Sequence, residues 1–244
     1  MLKRAGKVFL DFLFPIACLG CGRDDYYFCP DCAKKLDLYL NNSCFYCGAR
    51  TFLGQTCVRC GEKYALDQVL AFGYFSCSLL EKIIYELKYQ SVFLVSRDLA
   101  GAMFNAGQIK EFLKKDKKNI LVPVPMSKSK ERKRGYNQAG ILARDLGKVS
   151  GNYVCQELLL KKQERKTQMK IKSRKQRREN VENVFEVRRE ELSRKPELIG
   201  KNIILIDDVI TSGATLESCA VVLKRAGFKR VSGLAAARAG YQKN

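Results

Sequence analysis

Four C-x-x-C pairs near the amino terminus constrain the fold of this chain more than any other feature. Two residues between cysteines form a tight turn that directs both sulfurs to one point, and two such turns make a tetrahedral zinc site. The sequence therefore predicts two Cys₄ zinc sites in a small double zinc-ribbon module. The eight predicted ligands are Cys18, Cys21, Cys29, Cys32, Cys44, Cys47, Cys57 and Cys60.

The spacing of the pairs favours ligation by neighbouring turns, so that the first two turns share one zinc and the last two share the other. A crossed arrangement stays open. The chain contains no histidine, so every ligand is a thiolate, and a saturated site has no open position for a catalytic water. We predict structural zinc in a reducing cytoplasm, with disulfides or redox-active dithiols as the alternatives. Cys77, Cys155 and Cys219 are expected as small buried apolar residues.

The stretch before the cysteines has a basic start and an apolar centre, as a secretory signal does. Asp11 and Pro15 interrupt the apolar run, and Cys18 already belongs to a metal-like spacing. We therefore predict a short amphipathic helix over residues 2–14 instead of a signal. No segment approaches the roughly 18 uninterrupted apolar residues of a membrane span.

The net charge of +20 on 244 residues points to a polyanionic partner, such as nucleic acid or a phosphorylated substrate. Residues 1–64 carry nine basic and six acidic side chains, net +3, so the rest of the chain carries +17. The basic surface is therefore expected on the second part of the protein.

Apolar periodicity alternates between helix and strand from about Ala65 onward. Strand, helix and strand in this order imply an α/β domain with a parallel sheet. We predict two domains, an amino-terminal helix with the double zinc ribbon over residues 1–64 and the α/β domain over residues 65–244. Helices are expected over residues 78–89, 98–115, 138–147 and 214–227, a basic loop after Pro125, and strands over residues 119–125, 181–187, 202–208 and 230–239.

The stretch IILIDDVITSGAT (203–215) places two aspartates and a hydroxyl-rich turn after an apolar strand. In parallel sheets, ligands bind beyond the carboxyl ends of strands, at the first turn of the next helix. Backbone N–H groups and the hydroxyls of Thr211, Ser212 and Thr215 would form a phosphate cradle. Asp207 and Asp208 offer acceptors for ribose hydroxyls and an anionic site for Mg²⁺. The alternative is a strand end whose aspartates cap a helix.

ILIDDVITSGAT resembles the phosphoribosyl pyrophosphate (PRPP) signature of type I phosphoribosyltransferases. Three further segments narrow the resemblance to the ComF family: KERKRGYNQAGILARDL (130–146), the segment from RKTQ to RRENVENVF (165–185), and the cysteine module. The resemblance covers nearly the whole chain. It implies a zinc ribbon before a type I phosphoribosyltransferase-like domain, and a role in natural transformation.

The resemblance also implies roles for individual residues. Asp207 and Asp208 would contact the ribose hydroxyls and Mg²⁺, and would be the catalytic residues of an enzyme. Ser212 stands where many members have threonine, and this change keeps the hydroxyl. The 5-phosphate would be wrapped by Thr211, Ser212, Gly213, Ala214 and Thr215, and the pyrophosphate side would be lined by Lys128, Lys130, Arg132 and Arg134.

Two basic segments hold most of the charge of the second domain. Residues 128–134 contain five basic side chains and one acidic, and residues 161–178 contain ten and one. Such tracks bind a phosphodiester backbone by counterion release, and about six phosphates of a single strand predict a log–log salt slope of about −4. The alternative is that the two basic segments are only solvated surface. Tyr136 and Phe185 are candidate rings for base stacking. The candidate nucleic-acid contacts are Lys133, Arg134, Arg165, Lys166, Lys170, Lys172, Arg174, Lys175, Arg177 and Arg178.

Three functions are compatible with these features. The leading hypothesis is a cytoplasmic protein of natural transformation that binds PRPP and handles incoming single-stranded DNA, with other DNA-uptake or recombination proteins as further candidate partners. The second is an active phosphoribosyltransferase that joins PRPP to a nucleobase or another acceptor. The third is a PRPP-sensing regulator that binds nucleic acid. The sequence leaves open whether PRPP is substrate or effector.

Overall fold

A computed structural model describes residues 16–36, 38–39, 41–89, 92–114, 119–162 and 184–239 of the chain. The helix predicted over residues 2–14 and most of the second basic segment lie outside these residues. The described helices are α1 (Pro30–Lys34), α2 (Val58–Gly61), α3 (Ser78–Tyr89), α4 (Val92–Asn105), α5 (Gly107–Lys114), α6 (Lys128–Arg134), α7 (Gln138–Ser150), α8 (Arg189–Arg194) and α9 (Ala214–Arg225). Two short 3₁₀ helices span Phe52–Gly54 and Pro196–Leu198.

The described strands are β1 (Gln68–Tyr74), β2 (Asn119–Pro123), β3 (Tyr153–Val154), β4 (Leu159–Lys161), β5 (Phe185–Val187), β6 (Asn202–Ile210) and β7 (Arg230–Arg238). The centre of the fold is a five-stranded parallel sheet in the order β1, β7, β6, β2, β3. A separate two-stranded antiparallel ribbon is formed by β4 and β5. The predicted α/β class with a parallel sheet is therefore confirmed.

The central strand β6 is buried on both faces, which explains why its sequence is a continuous apolar run. Ile204 and Ile206 pack in a core that also contains residues of α3, α4 and α7. Ile203 and Leu205 pack in a second core with residues of α9.

Four predicted segments differ from the sequence-based expectation, and β1, β3, β4 and α8 were not predicted. The basic segment after β2 is helix α6 instead of a loop, with Ser127 as N-cap and the left-handed Gly135 as C-cap. The single helix predicted over residues 98–115 is interrupted between α4 and α5. Strand β5 pairs antiparallel with β4 outside the main sheet, because a short apolar run does not specify its partner. Strand β6 continues past both aspartates to Ile210, which pairs with β7.

The first cysteine pairs pack directly on the helices of the sheet. Cys18, Phe28 and Cys29 belong to the same buried cluster as residues of α3 and α4. The Asp98 carboxylate on α4 accepts hydrogen bonds from the backbone N–H groups of Tyr27, at 2.8 Å, and Phe28, at 3.3 Å. The division at residues 64 and 65 stays a prediction. In the described parts of the chain, no helix combines the length and the apolar composition that crossing a membrane requires.

Candidate functional site

The turn after β6 contains a glycine in the left-handed conformation. Gly213 lies in the left-handed region, with φ of 76° and ψ of 0°, and immediately precedes α9. This conformation suits glycine because an L-residue there would bring its Cβ against the backbone. The Ser212 hydroxyl oxygen accepts a hydrogen bond of 3.4 Å from the Ala214 N–H.

The side chains of this turn leave it open to an incoming anion. Thr211, Ser212 and Thr215 are exposed, while Gly213 is buried. The first N–H groups of a helix have no partner within the helix, and its amino end carries a partial positive charge. The turn therefore combines donors, hydroxyls and a positive end, which is the chemistry of a phosphate site.

Asp208 is held by a lysine and a glutamine from two other elements. Its carboxylate is buried, and Oδ2 lies 3.0 Å from Lys88 Nζ on α3 and accepts a hydrogen bond of 3.3 Å from Gln138 Nε2 on α7. The Val209 N–H donates to Asp208 Oδ1 at 2.9 Å. The sheet and both helices thus fix this carboxylate at the end of β6 nearest the turn.

Asp207 is the carboxyl of the pair whose negative charge is less well offset by its surroundings. Burial raises its pKa well above the ordinary value, and the neighbouring Asp208 charge raises it further, while Lys88 acts in the opposite direction. One hydrogen bond partly offsets this, because Asp207 Oδ1 accepts from the Asp208 N–H at 2.9 Å. Two adjacent carboxylates with one lysine near them form an anionic site, and oxygen ligands of this kind suit Mg²⁺.

We expect Asp207→Asn to stabilise the ligand-free protein at neutral pH, because it removes a half-buried charge beside the buried Asp208. Each tenfold decrease in the acid dissociation constant of Asp207 on folding corresponds to about 1.4 kcal/mol of lost stability. Each kcal/mol corresponds to about 2–4 °C in Tm for a chain of this size. Since the folded pKa of Asp207 lies above its unfolded value, the gain should shrink as the pH falls and the native carboxyl protonates. Thermal melts of both proteins from neutral to acidic pH measure it; a lower Tm for the variant at neutral pH would contradict the assignment.

Lys88 and Gln138 are the site residues that sequence reasoning missed. Gln138 ends the RGYNQ element, which was recognised as a motif without a role for this residue. Lys88 follows the buried Leu87 near the end of α3, and nothing in the local pattern separates it from an ordinary surface lysine. Only the packing of α3 against the sheet brings it to Asp208.

Of the four residues predicted on the pyrophosphate side, Arg134 is linked to the acidic pair. Arg134 Nη1 donates a hydrogen bond of 2.6 Å to Gln138 Oε1, and Gln138 in turn contacts Asp208. The guanidinium also lies 5.3 Å from the centre of the Tyr89 ring. Lys128, Lys130 and Arg132 are exposed on α6 and are not brought to the aspartates.

The predicted nucleic-acid residues are only partly described. Lys133 is exposed and Arg134 is half-buried on α6. The remaining predicted contacts lie outside the described residues: Arg165, Lys166, Lys170, Lys172, Arg174, Lys175, Arg177 and Arg178.

The exposed aromatic rings are not the ones that the sequence suggested. Phe185 is 4% exposed and belongs to the core, so the expectation that it stacks bases is wrong. The hydroxyl of Tyr136 donates to the Leu87 carbonyl at 3.3 Å. Tyr85, Tyr89 and Phe93 are instead 56%, 60% and 58% exposed. The first two rings lie 4.8 Å apart, and the Arg144 guanidinium lies 5.4 Å from the Phe93 ring centre.

The eight cysteine sulfurs form two clusters that follow the local pairing. In each cluster, all four sulfur atoms lie within 4.8 Å of one another. The Cys21–Cys29 and Cys47–Cys57 sulfur distances are both 3.6 Å, close to the about 3.8 Å expected around a zinc with 2.3 Å bonds. The geometry therefore fits one zinc ion in each cluster, with all positions taken by protein. The first cluster is Cys18, Cys21, Cys29 and Cys32, and the second is Cys44, Cys47, Cys57 and Cys60.

Acid–base properties of the thiols agree with a cation site. Burial raises the pKa of Cys18, but backbone N–H groups, that of Cys29 first, outweigh it and lower the value to about 6. A hydrogen bond from the backbone of Ala49 is the main cause that lowers the pKa of Cys47 to about 6. Burial and the neighbouring sulfurs raise the pKa of Cys60 to about 12. Four thiolates so close together need a cation to offset their charge.

Comparison with known protein families identifies the class to which this fold and these two kinds of site belong. The chain belongs to the phosphoribosyl transferase domain family, whose model matches residues 78–241. A double zinc ribbon domain model matches residues 9–61. Together with the two clusters, this match indicates structural zinc.

Individual relatives narrow the class. The chain is 27% identical over 214 residues to "Competence protein F" of Haemophilus influenzae, covering 86% of this chain and 90% of that protein. It is 29% identical over 209 residues to "Competence protein ComFC" of Bacillus subtilis, covering 84% and 81%. "Competence protein ComFC" of Streptococcus pneumoniae is 27% identical over 212 residues, covering 85% and 86%. These matches confirm the resemblance to the ComF family.

Among solved structures, similarity extends to the allosteric regulatory enzyme of purine biosynthesis, at 17% identity and a TM-score of 0.38. The match covers 62% of this chain and 30% of that one.

Proposed function

We propose that this protein binds PRPP with Mg²⁺ at the turn after β6 and handles incoming single-stranded DNA in the cytoplasm during natural transformation. The observation that carries the proposal is the juxtaposition of the Asp207–Asp208 pair with an exposed, glycine-containing turn at the start of α9. The relatives' names, competence protein F and ComFC, supply the cellular process.

Each part of PRPP finds matching chemistry at this end of the sheet. The hydroxyls of Thr211, Ser212 and Thr215 and the N–H groups of the turn suit the 5-phosphate. The carboxylates of Asp207 and Asp208 suit the ribose hydroxyls and Mg²⁺, which would supply charge neutralisation for the pyrophosphate. Lys88, which now pairs with Asp208 at 3.0 Å, is within reach of the same ligand.

Binding of single-stranded DNA is supported by a surface that lies beside the candidate PRPP site. The exposed basic side chains of α6 suit a phosphodiester backbone. The rings of Tyr85, Tyr89 and Phe93 suit unpaired bases, since stacking tolerates any sequence. Arg134 joins the two sites, because it contacts both the Tyr89 ring and Gln138.

Replacing Lys130, Arg132 and Lys133 of α6 by alanine is expected to weaken binding of an oligo(dT) strand and to flatten its salt dependence. Three phosphate contacts of a single strand account for about 2 in the log–log slope. Fluorescence anisotropy at several salt concentrations measures both quantities.

The matched control removes three exposed lysines of the cysteine region, Lys34, Lys35 and Lys63, and so changes the net charge equally. We expect a small loss of affinity and an unchanged slope for this control. Equal losses and equal slopes for both triple variants would mean that α6 is only a solvated surface.

An enzymatic function is the second candidate, and the observation that favours it is the match to the phosphoribosyl transferase domain family. In that reaction an acceptor nitrogen bonds to the ribose anomeric carbon as pyrophosphate leaves. The Asp207–Asp208 pair would stabilise the positive charge that develops on the ribose. Incubation with radiolabelled PRPP and a panel of nucleobases tests it: pyrophosphate released with any one base would favour the enzyme, and none would favour the binding protein.

A further inference from the structure

Phe45, in the third C-x-x-C turn, lies directly against the turn that follows β6. A β-carbon built on Gly213 would come within 2.4 Å of Phe45 Cε1 and 2.7 Å of Phe45 Cζ. The phenyl ring therefore occupies the space that only a glycine leaves free. The candidate phosphate turn and the second cysteine cluster are in van der Waals contact through these two residues.

Arg238, at the end of β7, ties the Phe45 segment to the end of β6. Its guanidinium lies 4.5 Å from the Phe45 ring centre and 5.2 Å from that of Tyr39. It donates a hydrogen bond to the Tyr39 hydroxyl, and its Nη2 donates to the Phe45 carbonyl at 3.4 Å. The next residue, Ala239, donates its N–H to the Ile210 carbonyl at 2.8 Å. Phe45 is thus held by the strand beside the turn.

Glu217, in the first turns of α9, supplies a second attachment. Its carboxylate accepts hydrogen bonds from the Tyr46 hydroxyl and, at 2.6 Å, from the Ala65 N–H. The Tyr46 ring stacks on Tyr64 with the ring centres 3.8 Å apart. The third C-x-x-C turn therefore contacts the start of α9 at two points, with Phe45 against Gly213 and Tyr46 bonded to Glu217.

The first cysteine cluster contacts a different part of the fold. Its buried cysteines pack with α3 and α4, and the backbone N–H groups of Tyr27 and Phe28, just before Cys29, donate to Asp98 of α4. A β-carbon on Gly20 would meet Cys32 Sγ at 2.8 Å and Leu79 of α3 at 3.0 Å. The two clusters thus provide a built-in comparison, since only the second adjoins the turn.

We propose that the second cysteine cluster is a positioning element of the phosphate turn. Metal binding by Cys44, Cys47, Cys57 and Cys60 fixes the Phe45 ring, and the ring holds Gly213 in the left-handed conformation that directs the N–H groups to the ligand. This inference rests on the proposed PRPP site. Because coupling between two ligands is reciprocal, a ligand in the turn also raises the affinity of the second cluster for its metal.

Phe45→Ala tests the contact without touching a metal ligand. We expect unchanged zinc content and an affinity for Mg·PRPP about tenfold lower, within the about 5–150-fold range of coupled sites. Phe52→Ala, which removes a 59% exposed ring of the same region, is the matched control and should bind as the wild type does. Phe45→Leu should restore part of the affinity. Wild-type affinity in Phe45→Ala would overturn the proposal.

Hydrogen exchange of the amides of residues 211–215 tests the same inference without PRPP. Exchange should be faster in Phe45→Ala and in Cys47→Ser, but unchanged in Cys21→Ser, which removes the exposed cysteine of the first cluster. If the wild-type protein binds no PRPP, the proposed function is wrong. The exchange rates then still test whether the second cysteine cluster positions the phosphate turn. Equal exchange in Cys47→Ser and Cys21→Ser would overturn it.

Discussion

Asp207→Asn combined with Asp208→Asn is expected to lower the affinity for Mg·PRPP by about 100-fold or more, below calorimetric detection. The double variant removes both negative charges that would hold Mg²⁺ and the acceptors for the ribose hydroxyls. Hydrogen bonds to charged groups contribute about 1.5–3 kcal/mol each. Removing two carboxylates should therefore lower the affinity more than any single substitution in the turn does. Titration calorimetry with and without Mg²⁺ measures the effect.

The fold should survive this double substitution, since asparagine keeps the shape of aspartate and removes the unfavourable charge of Asp207, whose pKa is raised by desolvation and by Asp208. Circular dichroism and zinc content, both equal to the wild type, are the controls. Glu190→Gln, on α8 and away from the acidic pair, is a matched charge removal that should leave the affinity unchanged. Retained PRPP binding in the double variant would remove these aspartates from the site.

Removal of zinc is expected to have the largest effect on stability. Each structural site contributes roughly 10–16 kcal/mol of apparent binding free energy, as much as the whole stability of a typical domain. Because Cys18, Cys29 and Cys32 pack in the same buried cluster as residues of α3 and α4, the loss should extend beyond the cysteine region. A chelator at elevated temperature should release two zinc ions per chain and lower the Tm sharply.

Cys77→Ser serves as the control for this experiment, since Cys77 lies outside both clusters and is only half-buried. It should retain both zinc ions and nearly the wild-type Tm. A purified protein with no zinc, or a chelator that leaves the Tm unchanged, would contradict the assignment of structural metal.

Sequence reasoning succeeded where one local segment specifies the structure. The C-x-x-C turns bring their own sulfurs together, so spacing alone predicted the two clusters that the structure contains. The apolar run of β6, the glycine and the amphipathic α9 likewise predicted the strand, turn and helix. Even there the strand end was placed too early, because pairing of Ile210 with β7 extends β6.

Features set by tertiary packing were not predictable. Lys88 reaches Asp208 only through the docking of α3, and Tyr46 reaches Glu217 across 171 residues of sequence. Helix α6 was predicted as a loop because it has no apolar face, although Ser127 and Gly135 are its caps. The contact between Phe45 and Gly213 was not predictable, because neither the C-x-x-C pattern around Phe45 nor the turn around Gly213 indicates a partner elsewhere in the sequence.

A crystal structure of the chain with Mg²⁺ and PRPP would show directly whether the turn after β6 binds this ligand. We expect the 5-phosphate on the N–H groups and hydroxyls of residues 211–215, with the ribose hydroxyls at Asp207 and Asp208 and the phosphate turn against Phe45. A ligand bound elsewhere on the protein, or a turn that stays empty at saturating PRPP, would contradict it.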